Sequence, residues 1–476
     1  MQLVPSTAIV LFLIALMLRQ GPYRGLVLLM AMAPFGMMAA FNLPAVGGTS
    51  IVALDLAVVA MFFSLALRRR GFDDMLDAFG RHGAGIWLAL FVGYATVATL
   101  FFPAIFAGQT EVFSIGREAN SDGIVSAPLA PGTGNLSQLM RMYLSVAGFA
   151  VAHAAMRRRP DAGLALRAMQ AATLVHLALG LADILTNAAG LTHLMEPIRT
   201  ANYALTLGQK MGGLNRMIGG FPEASAYGFF SMGMLGFWLS YWFSYRGTSR
   251  APAVFLAIAV FEVLRCTSSS AYVAAVGLLI TFAVVNSVRA GAGGYLSARS
   301  ATIIFTVLAL LPLMAAGAYM AYALLPGVTE FVDRSLLTKL SSDSGTERMS
   351  WNAQALRNFA DTLGLGAGLG SVRASNWVVA CLACTGLIGT FAFLAFAARL
   401  VTAHAGPLAD TRTRNVIRAL QWGCGGFLMR AFVVQGTPNL QIYFFAMAGM
   451  GLALVAASRA PVQAGHSPAP LREARA

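Results

Sequence analysis

The chain has 476 residues, of which 58% are hydrophobic and only 11% charged, with a formal net charge of +14. The apolar residues come in repeated runs of roughly 17–25, long enough to cross a bilayer as helices, which excludes a soluble multidomain protein. The arginines lie mostly in short loops between these runs, as the positive-inside bias predicts, so the charge does not indicate nucleic-acid binding. Cys381 and Cys384 form a CxxC inside an apolar run, which supports neither a disulfide framework nor a zinc site.

The hydrophobic runs predict an all-α fold, a polytopic integral membrane protein with about thirteen transmembrane helices, between twelve and fourteen. Residues 1–458 are expected to form a single transmembrane helical domain, and 459–476, rich in Pro, Ala and Arg, a disordered cytoplasmic tail. The predicted spans are roughly 6–18, 25–42, 49–67, 85–107, 138–156, 168–190, 223–244, 252–265, 271–288, 300–325, 375–398, 416–434 and 440–457.

The loops predict an orientation, because arginine-rich and arginine-poor loops alternate. The arginine-rich loops, assigned to the cytoplasm, are 19–24, 68–74, 156–161, 245–250 and 399–418. This assignment leaves three sizeable segments on the outer face, namely 108–137, 191–222 and 326–374. In the third segment Trp351, Ala355 and Phe359 recur every four residues, which predicts an amphipathic helix lying against the membrane.

Charged residues within the predicted spans lie in the outward halves of their helices. They are Asp55, Arg141, Asp183, Glu223, Glu262, Arg265 and Arg430. A charge inside a membrane is costly and usually faces a cavity, so this one-sided distribution predicts a cavity open to the outside. A transporter would more naturally carry its polar groups near the midplane.

The outer segments carry an excess of cations where the positive-inside bias predicts few. They are Arg199, Lys210, Arg216, Arg334, Lys339, Arg348, Arg357 and Arg373. This excess predicts an anionic ligand, and arginine suits a diphosphate because its planar fork donates two parallel hydrogen bonds. The outer segments contain no DxD and no ligand cluster with metal spacing, so we expect arginine rather than a metal to hold the anion, and no cofactor.

Three stretches together resemble the O-antigen polymerase and ligase superfamily. NRMIGGFPEASAYG (215–228) resembles the G-F-x-E-x-S segment of Wzy-type polymerases, and RCTSSSAY (265–272) their Ser-rich outer turn. TERMSWNAQALRNFADTLGLGAGLGSVRASNWVVACLACTGLIG (346–389) resembles the superfamily's signature region. The resemblance implies glycosyl transfer from a polyprenyl-diphosphate-linked glycan, without nucleotide sugar, at the periplasmic face of the bacterial inner membrane. Arg348 matches the family's loop arginine, and Arg216 and Arg265 match its outer-rim basic positions.

The predicted mechanism uses Glu223 and Arg348 as catalytic residues. The arginine would stabilise the charge that builds on the diphosphate, and the carboxylate would take the proton of the attacking sugar hydroxyl. We expect the diphosphate or glycan to be bound by Arg216, Arg265, Arg357, Arg373, Ser268 and Ser269. Structural alternatives stay open: Glu223 as an ordinary helix start, an Arg265–Glu262 pair, an Arg357–Asp361 pair, and a tight turn at 267–270.

Two other functions compete with the polymerase. The first is a ligase, which transfers the glycan to lipid A. The resemblance implies that such ligases use a histidine just after the Gly-rich turn, and this chain has Ser375 at that position, which counts against a ligase. A lipid-linked oligosaccharide flippase would carry midplane charges and an internal repeat, and neither is found. The expected partners are the polyprenyl-diphosphate-linked glycan, membrane lipids, and a chain-length regulator or flippase of the same pathway, with no nucleic acid.

Overall fold

The computed structural model describes residues 1–43, 48–80, 83–115, 124–203, 205–208, 210–211, 214–292, 320, 322–324, 329 and 343–459. Within these ranges the chain is mostly helical, and seven helices are long and apolar enough to cross a membrane. The tenth predicted span, 300–325, and the predicted tail beyond residue 459 lie almost entirely outside the described residues. The count of thirteen spans therefore stays a prediction.

The described helices follow the predicted spans closely along the chain. They are α1 (Ser6–Met32), α2 (Ala53–Ala66), α3 (Gly71–Leu76), α4 (Gly85–Ile105), α5 (Thr133–Arg158), α6 (Ala162–Ala188), α7 (Ala224–Ser244), α8 (Ala251–Arg265), α9 (Ser269–Ala292), α10 (Asp343–Asp361), α11 (Trp377–Thr402), α12 (Thr411–Val433) and α13 (Gln441–Arg459). The seven candidate spans are α1, α4, α5, α6, α9, α11 and α13. Helix α10 occupies the third outer segment, where an amphipathic helix was predicted.

Helix α1 covers two predicted spans. The helix is interrupted between them at Gly21, whose φ of 75° and ψ of 167° are non-helical. A Cβ at Gly25 would lie 3.1 Å from the Met17 side chain. Residues eight apart in a straight helix are separated by about 12 Å, so the chain must turn back on itself at Gly21. Pro22 follows the break and cannot continue the hydrogen bonding of the preceding helix.

Three short antiparallel hairpins were not predicted from the sequence. They pair β1 (Ala39–Leu43) with β2 (Thr49–Val52), β3 (Glu111–Ile115) with β4 (Ile124–Pro128), and β5 (Lys210–Met211) with β6 (Leu214–Asn215). The first hairpin replaces the end of the predicted span 25–42 and the start of 49–67, so those boundaries were wrong. Pro34 lies just beyond Met32 and disfavours further helix, and strands satisfy the backbone of the apolar residues that follow.

The arginine-rich loops meet at one end of the helix bundle, called here the arginine-rich end. Arg158 forms an ion pair with Asp74, and the Tyr23 hydroxyl donates to Asp161 at 2.7 Å. Asn415 donates to the backbone oxygen of Ser244 at 3.0 Å. These contacts join segments that the sequence assigned to the same side of a membrane.

The arginine-poor segments meet at the opposite end, called here the site end. The Met37 amide donates to the Gly220 oxygen at 2.8 Å, and Asn135 donates to the Leu369 oxygen at 2.8 Å. Asn358 of α10 donates to the Glu111 oxygen at 2.6 Å, which attaches that helix to β3. All three predicted outer segments therefore contribute to this end.

Small residues let α7 and α12 cross at close range in the centre of the bundle. A Cβ at Gly236 would lie 2.1 Å from the Trp422 oxygen, and one at Gly426 would lie 2.1 Å from the Met232 oxygen. Such close backbone approach is the usual way in which helices associate in a membrane. It places the beginning of α7 beside the end of α12, where the candidate site lies.

Candidate functional site

Two cavities meet at the beginning of α7. The helix cavity, of 360 Å³, lies among the transmembrane helices, and its lining includes Asp55, Arg141, Tyr203, Glu223, Ser225, Arg430 and Tyr443. The loop cavity, of 830 Å³, lies under α10, and its lining includes Asn135, Glu223, Ser225, Glu347, Arg348, Trp351, Arg373 and Ser375. Glu223 and Ser225 line both cavities, so the two spaces meet at the E-x-S part of the quoted segment.

Glu223 stands immediately before the first residue of α7, with an extended backbone at φ −152° and ψ 160°. Asp, Asn, Ser and Thr commonly cap a helix from this position, whereas the Glu223 side chain makes no capping hydrogen bond. The carboxylate is exposed and lines both cavities. It is therefore placed to act on a ligand rather than on its own helix.

Arg216 and Arg430 both interact electrostatically with Glu223 and with Arg348. Burial lowers the pKa of the Arg216 guanidinium, because desolvation disfavours the charged form. The Cys266 thiol and the Glu223 carboxylate act in the opposite direction on that pKa, and Arg348 lowers it further. The structure thus brings Arg216 and Glu223, from one quoted stretch, together with Arg348 from another, and it adds Arg430.

Arg430 is only 1% exposed and lines the helix cavity. Its guanidinium donates to the Ser225 hydroxyl at 2.9 Å and to the Val434 oxygen at 2.7 Å. Its Nε is buried without a hydrogen-bond partner in the part of the chain that the structure describes. From the sequence, Arg430 was a charge inside a predicted span but not one of the predicted site residues.

Within the described residues, neither Arg348 nor Arg430 forms an ion pair with a carboxylate. Glu223 lines the helix cavity together with Arg430 and the loop cavity together with Arg348. A buried guanidinium is normally paired, since an isolated charge away from water is costly. The surroundings of Glu223 thus carry more positive than negative charge, as an anion-binding site requires.

The loop cavity contains a second arginine beside Arg348. The Arg373 guanidinium lies 4.2 Å from the centre of the Trp351 ring, the geometry of a cation–π contact. Burial lowers the pKa of Arg373, and the Glu347 carboxylate opposes that shift. Ser375, the residue expected to be a histidine in a ligase, lines the same cavity. Its backbone amide donates to the Asn352 side-chain oxygen at 2.8 Å.

The Gly-rich stretch 364–370 is a tight backbone turn beneath the loop cavity. Gly364, Gly366, Gly368 and Gly370 all have positive φ, between 74° and 91°, a conformation that side chains disfavour. The turn packs into a break of α11 at Gly386, whose φ is 58° and ψ −165°.

Five of the predicted binding residues do not line either cavity: Arg216, Arg265, Ser268, Ser269 and Arg357. Ser268 is 2% exposed and packs against Gly228 of α7. Arg357 is exposed on α10. Direct roles for these five residues stay predictions, without support from the cavity linings, although Arg216 interacts electrostatically with Glu223.

Two structural alternatives raised from the sequence are wrong. Arg265 does not pair with Glu262, because its guanidinium donates to the Asn215 oxygen at 2.8 Å. The Arg357–Asp361 pair is also not formed, since Asp361 accepts a hydrogen bond from the Thr110 hydroxyl. The contact between Arg265 and Asn215 instead steadies the segment that carries Arg216.

Asp183 anchors that segment from the other side. It forms a buried ion pair with Arg199 and accepts hydrogen bonds from the Ile218 and Gly219 amides at 2.9 and 3.2 Å. These bonds hold the backbone directly before Glu223. Asp183 therefore supports the site by fixing the backbone conformation of the segment that leads to Glu223.

No protein-family model matches the chain, and no curated protein is significantly similar to it. The function is therefore argued from the two cavities and their charged residues.

Proposed function

We propose that the chain is a Wzy-type polysaccharide polymerase, a membrane glycosyltransferase at the periplasmic face of the bacterial inner membrane. It would transfer polyprenyl-diphosphate-linked oligosaccharide repeats onto one another. The observation that carries the proposal is the grouping of Arg216, Arg348 and Arg430 near the Glu223 carboxylate, where the two cavities meet. With Arg216, the two cavities bring five guanidiniums (Arg141, Arg216, Arg348, Arg373 and Arg430) near three carboxylates (Asp55, Glu223 and Glu347). This excess of positive charge favours an anionic ligand, and a diphosphate has the matching geometry.

The chemistry follows from these charges. The bond between the anomeric carbon and the diphosphate oxygen breaks, and a new bond forms from that carbon to the oxygen of the attacking sugar hydroxyl. The guanidiniums stabilise the charge on the departing diphosphate, and one well-placed donor of this kind contributes roughly 3–4 kcal/mol. Glu223 takes the hydroxyl proton, a contribution of about 10²–10⁴-fold in rate for a positioned base.

The presence of two cavities also supports a polymerase. Polymerisation requires two lipid-linked glycans at once, a donor whose diphosphate leaves and an acceptor whose hydroxyl attacks. The helix cavity and the loop cavity meet at Glu223 and Ser225, which is where the attacking oxygen and the anomeric carbon would have to meet. The loop cavity, with Arg348, Arg373 and the ring of Trp351, suits a diphosphate joined to a sugar.

The experiment that tests this function compares surface and lipid-linked glycans in cells lacking the protein. The cells are complemented with the unaltered chain, with Arg348→Ala, or with Arg250→Ala as a control. Arg250 is an exposed arginine at the arginine-rich end. We expect Arg348→Ala to abolish polymer while single lipid-linked repeats remain on the outer leaflet, and Arg250→Ala to restore polymer. Equal protein amounts in the membrane exclude a folding defect.

Other outcomes would contradict the polymerase. Long polymer that forms but stays on its polyprenyl carrier would indicate a ligase. Repeats confined to the cytoplasmic leaflet would indicate a flippase. Full polymerisation by Arg348→Ala would remove that arginine from the mechanism.

A further inference from the structure

The helix cavity contains a second group of charges that the proposed mechanism does not use. Asp55, in the first turn of α2, is 5% exposed, and Arg141 lies on α5; both line this cavity. The two residues interact electrostatically with each other and with Tyr203. Arg430, by contrast, interacts with Glu223. The cavity therefore has two polar regions, one at Glu223 and one at Asp55.

Asp55 and Arg141 are held apart by different partners. The Asp55 carboxylate accepts a hydrogen bond from the Val52 amide at 3.1 Å, which fixes it to the start of its own helix. The Arg141 guanidinium donates to the Tyr203 hydroxyl and lies 5.4 Å from the centre of that ring. Among the described residues, the two opposite charges form no ion pair with each other. A buried carboxylate and guanidinium normally come into contact, since separation leaves both charges uncompensated, so their separation leaves a place for a polar group of a ligand.

The chemistry of the two residues indicates that this group is a hydroxyl. In the part of the chain that the structure describes, neither the second Asp55 oxygen nor the other nitrogens of Arg141 make a hydrogen bond. An ionised carboxylate only accepts hydrogen bonds, and a guanidinium only donates them. One hydroxyl can donate to Asp55 and accept from Arg141, whereas Asp55 would repel an anion and Arg141 would repel a cation.

The rest of the helix cavity suits a sugar ring. Its wall includes the rings of Phe229 and Tyr443, whose centres lie 6.1 Å apart. Ser145 and Asn439 also line it, and the Ser145 hydroxyl donates to the Asn439 side-chain oxygen at 2.9 Å. Aromatic walls with a few placed polar groups are typical of small-molecule sites, and the volume of 360 Å³ is at the small end of their range of roughly 300–1,000 Å³. The cavity thus has room for the end of a glycan.

We propose that the helix cavity binds the terminal, uncharged sugar of the acceptor glycan, with a hydroxyl of that sugar between Asp55 and Arg141. This inference rests on the proposed function, because the acceptor is the glycan whose hydroxyl attacks beside Glu223. Asp55 and Arg141 determine which sugar is accepted and hold its ring so that a different hydroxyl faces Glu223, which lines the same cavity.

The test uses a probe that can act only as an acceptor. The probe is the free oligosaccharide, released by mild acid from the lipid-linked glycans of cells lacking the protein. It carries neither diphosphate nor polyprenyl chain, so it cannot be a donor. Its binding to the full-length protein in nanodiscs is measured by saturation-transfer NMR. We expect the protons of the terminal sugar to receive the strongest transfer.

Two substitutions make the test specific. Asp55→Asn keeps the shape of the side chain, and Arg141→Gln removes the guanidinium. Each should weaken binding of the free oligosaccharide by about ten- to a hundredfold, the effect of losing one hydrogen bond to a charged group. With the lipid-linked repeat as donor, the KM for the free oligosaccharide should rise by the same factor, and kcat should change less. Asp74→Asn and Arg158→Gln are matched controls, because they alter a partly exposed ion pair at the arginine-rich end.

Three outcomes would overturn the inference. They are unchanged binding in both site variants, an equal loss of binding in the control variants, and saturation transfer spread evenly over all sugars of the oligosaccharide. The last is measured on the unaltered chain, so it decides the matter even where a variant fails to fold.

Failure of this site and failure of the proposed function can be told apart, because binding of the free oligosaccharide requires no glycosyl transfer. Weaker binding by Asp55→Asn in a protein that the glycan experiment shows to be a flippase would refute the polymerase and keep the sugar site. Unchanged binding by Asp55→Asn, with polymer abolished by Arg348→Ala, would refute the sugar site and keep the polymerase.

Discussion

At the scale of single residues, the two buried arginines of the site end differ in one property. Arg199 is paired with Asp183, with side-chain exposures of 4% and 6%. Arg430 is as deeply buried but has no ion pair among the described residues, and it lines a cavity. A paired charge stabilises its partner, whereas an unpaired one is retained at a cost. The two arginines should therefore respond oppositely to the same substitution.

Arg430→Met should leave the free energy of unfolding unchanged or raise it, since a buried charge is replaced by an apolar side chain. The same variant should lose about 10²–10³-fold in transfer rate, the usual effect of removing one charge-stabilising donor. Thermal unfolding in detergent and polymer formation in vitro measure the two effects. Lower stability together with unchanged transfer would show that Arg430 is structural.

Arg199→Met is the matched control for that experiment. It leaves Asp183 buried without its partner, which should destabilise the protein by about 3–5 kcal/mol. The Ile218 and Gly219 amides bound to Asp183 should then lose their order, which reduces transfer indirectly. Equal unfolding temperatures for Arg199→Met and the unaltered chain would contradict this account of the pair.

At the scale of elements, the Gly-rich turn determines how α11 enters the bundle. A Cβ at Gly366 would lie 2.6 Å from the Gly386 nitrogen and 2.8 Å from the Cys384 oxygen, and its φ is 91°. Gly366→Ala should therefore destabilise the protein by more than the ~1–3 kcal/mol that strained backbone alone costs. The midpoint of thermal unfolding measures the loss.

Gly93→Ala in α4 provides the control for the turn. Apart from the backbone of its own helix, no atom of the described residues lies within 4 Å of a Cβ at Gly93. Alanine favours a helix over glycine by roughly 0.5–1 kcal/mol. We expect Gly93→Ala to be neutral or slightly stabilising. Similar losses in both variants would mean that the chain is sensitive to any added methyl group, and not to the packing of the turn against α11.

At the scale of the whole molecule, the two ends of the bundle should face opposite sides of the membrane. The cysteines Cys266, Cys381, Cys384 and Cys424 are free and buried, so added cysteines can be labelled against a low background. Met349→Cys, at an exposed position of the site end, should react with a membrane-impermeant maleimide in intact spheroplasts. Thr248→Cys, exposed at the arginine-rich end, should react only after permeabilisation. The reverse pattern would overturn the proposed orientation and place the site in the cytoplasm.

Some residues of the candidate site could be selected from the sequence because charges are rare in an apolar chain. Glu223, Arg216 and Arg348 were selected on that ground and by resemblance. Glu223 and Arg348 line the loop cavity, and Arg216 interacts electrostatically with both. Arg430 was noted as a charge in a span but not joined to the site. Its partner Ser225 is 205 residues away in the sequence, and no local pattern records such a contact.

The sequence by itself determined the helical membrane character and which loops share an end, because hydrophobic length and arginine placement are local properties of the chain. Only the tertiary structure decided the three hairpins, the partners of Asp183 and Arg265, and the meeting of two cavities at Glu223. The physical reason is that these features depend on how distant helices pack. The close crossing of α7 and α12 brings Arg430 to Ser225. The crossing requires glycine at positions 236 and 426 because a side chain there would clash with the backbone of the facing helix, and this contact is visible only in the tertiary structure.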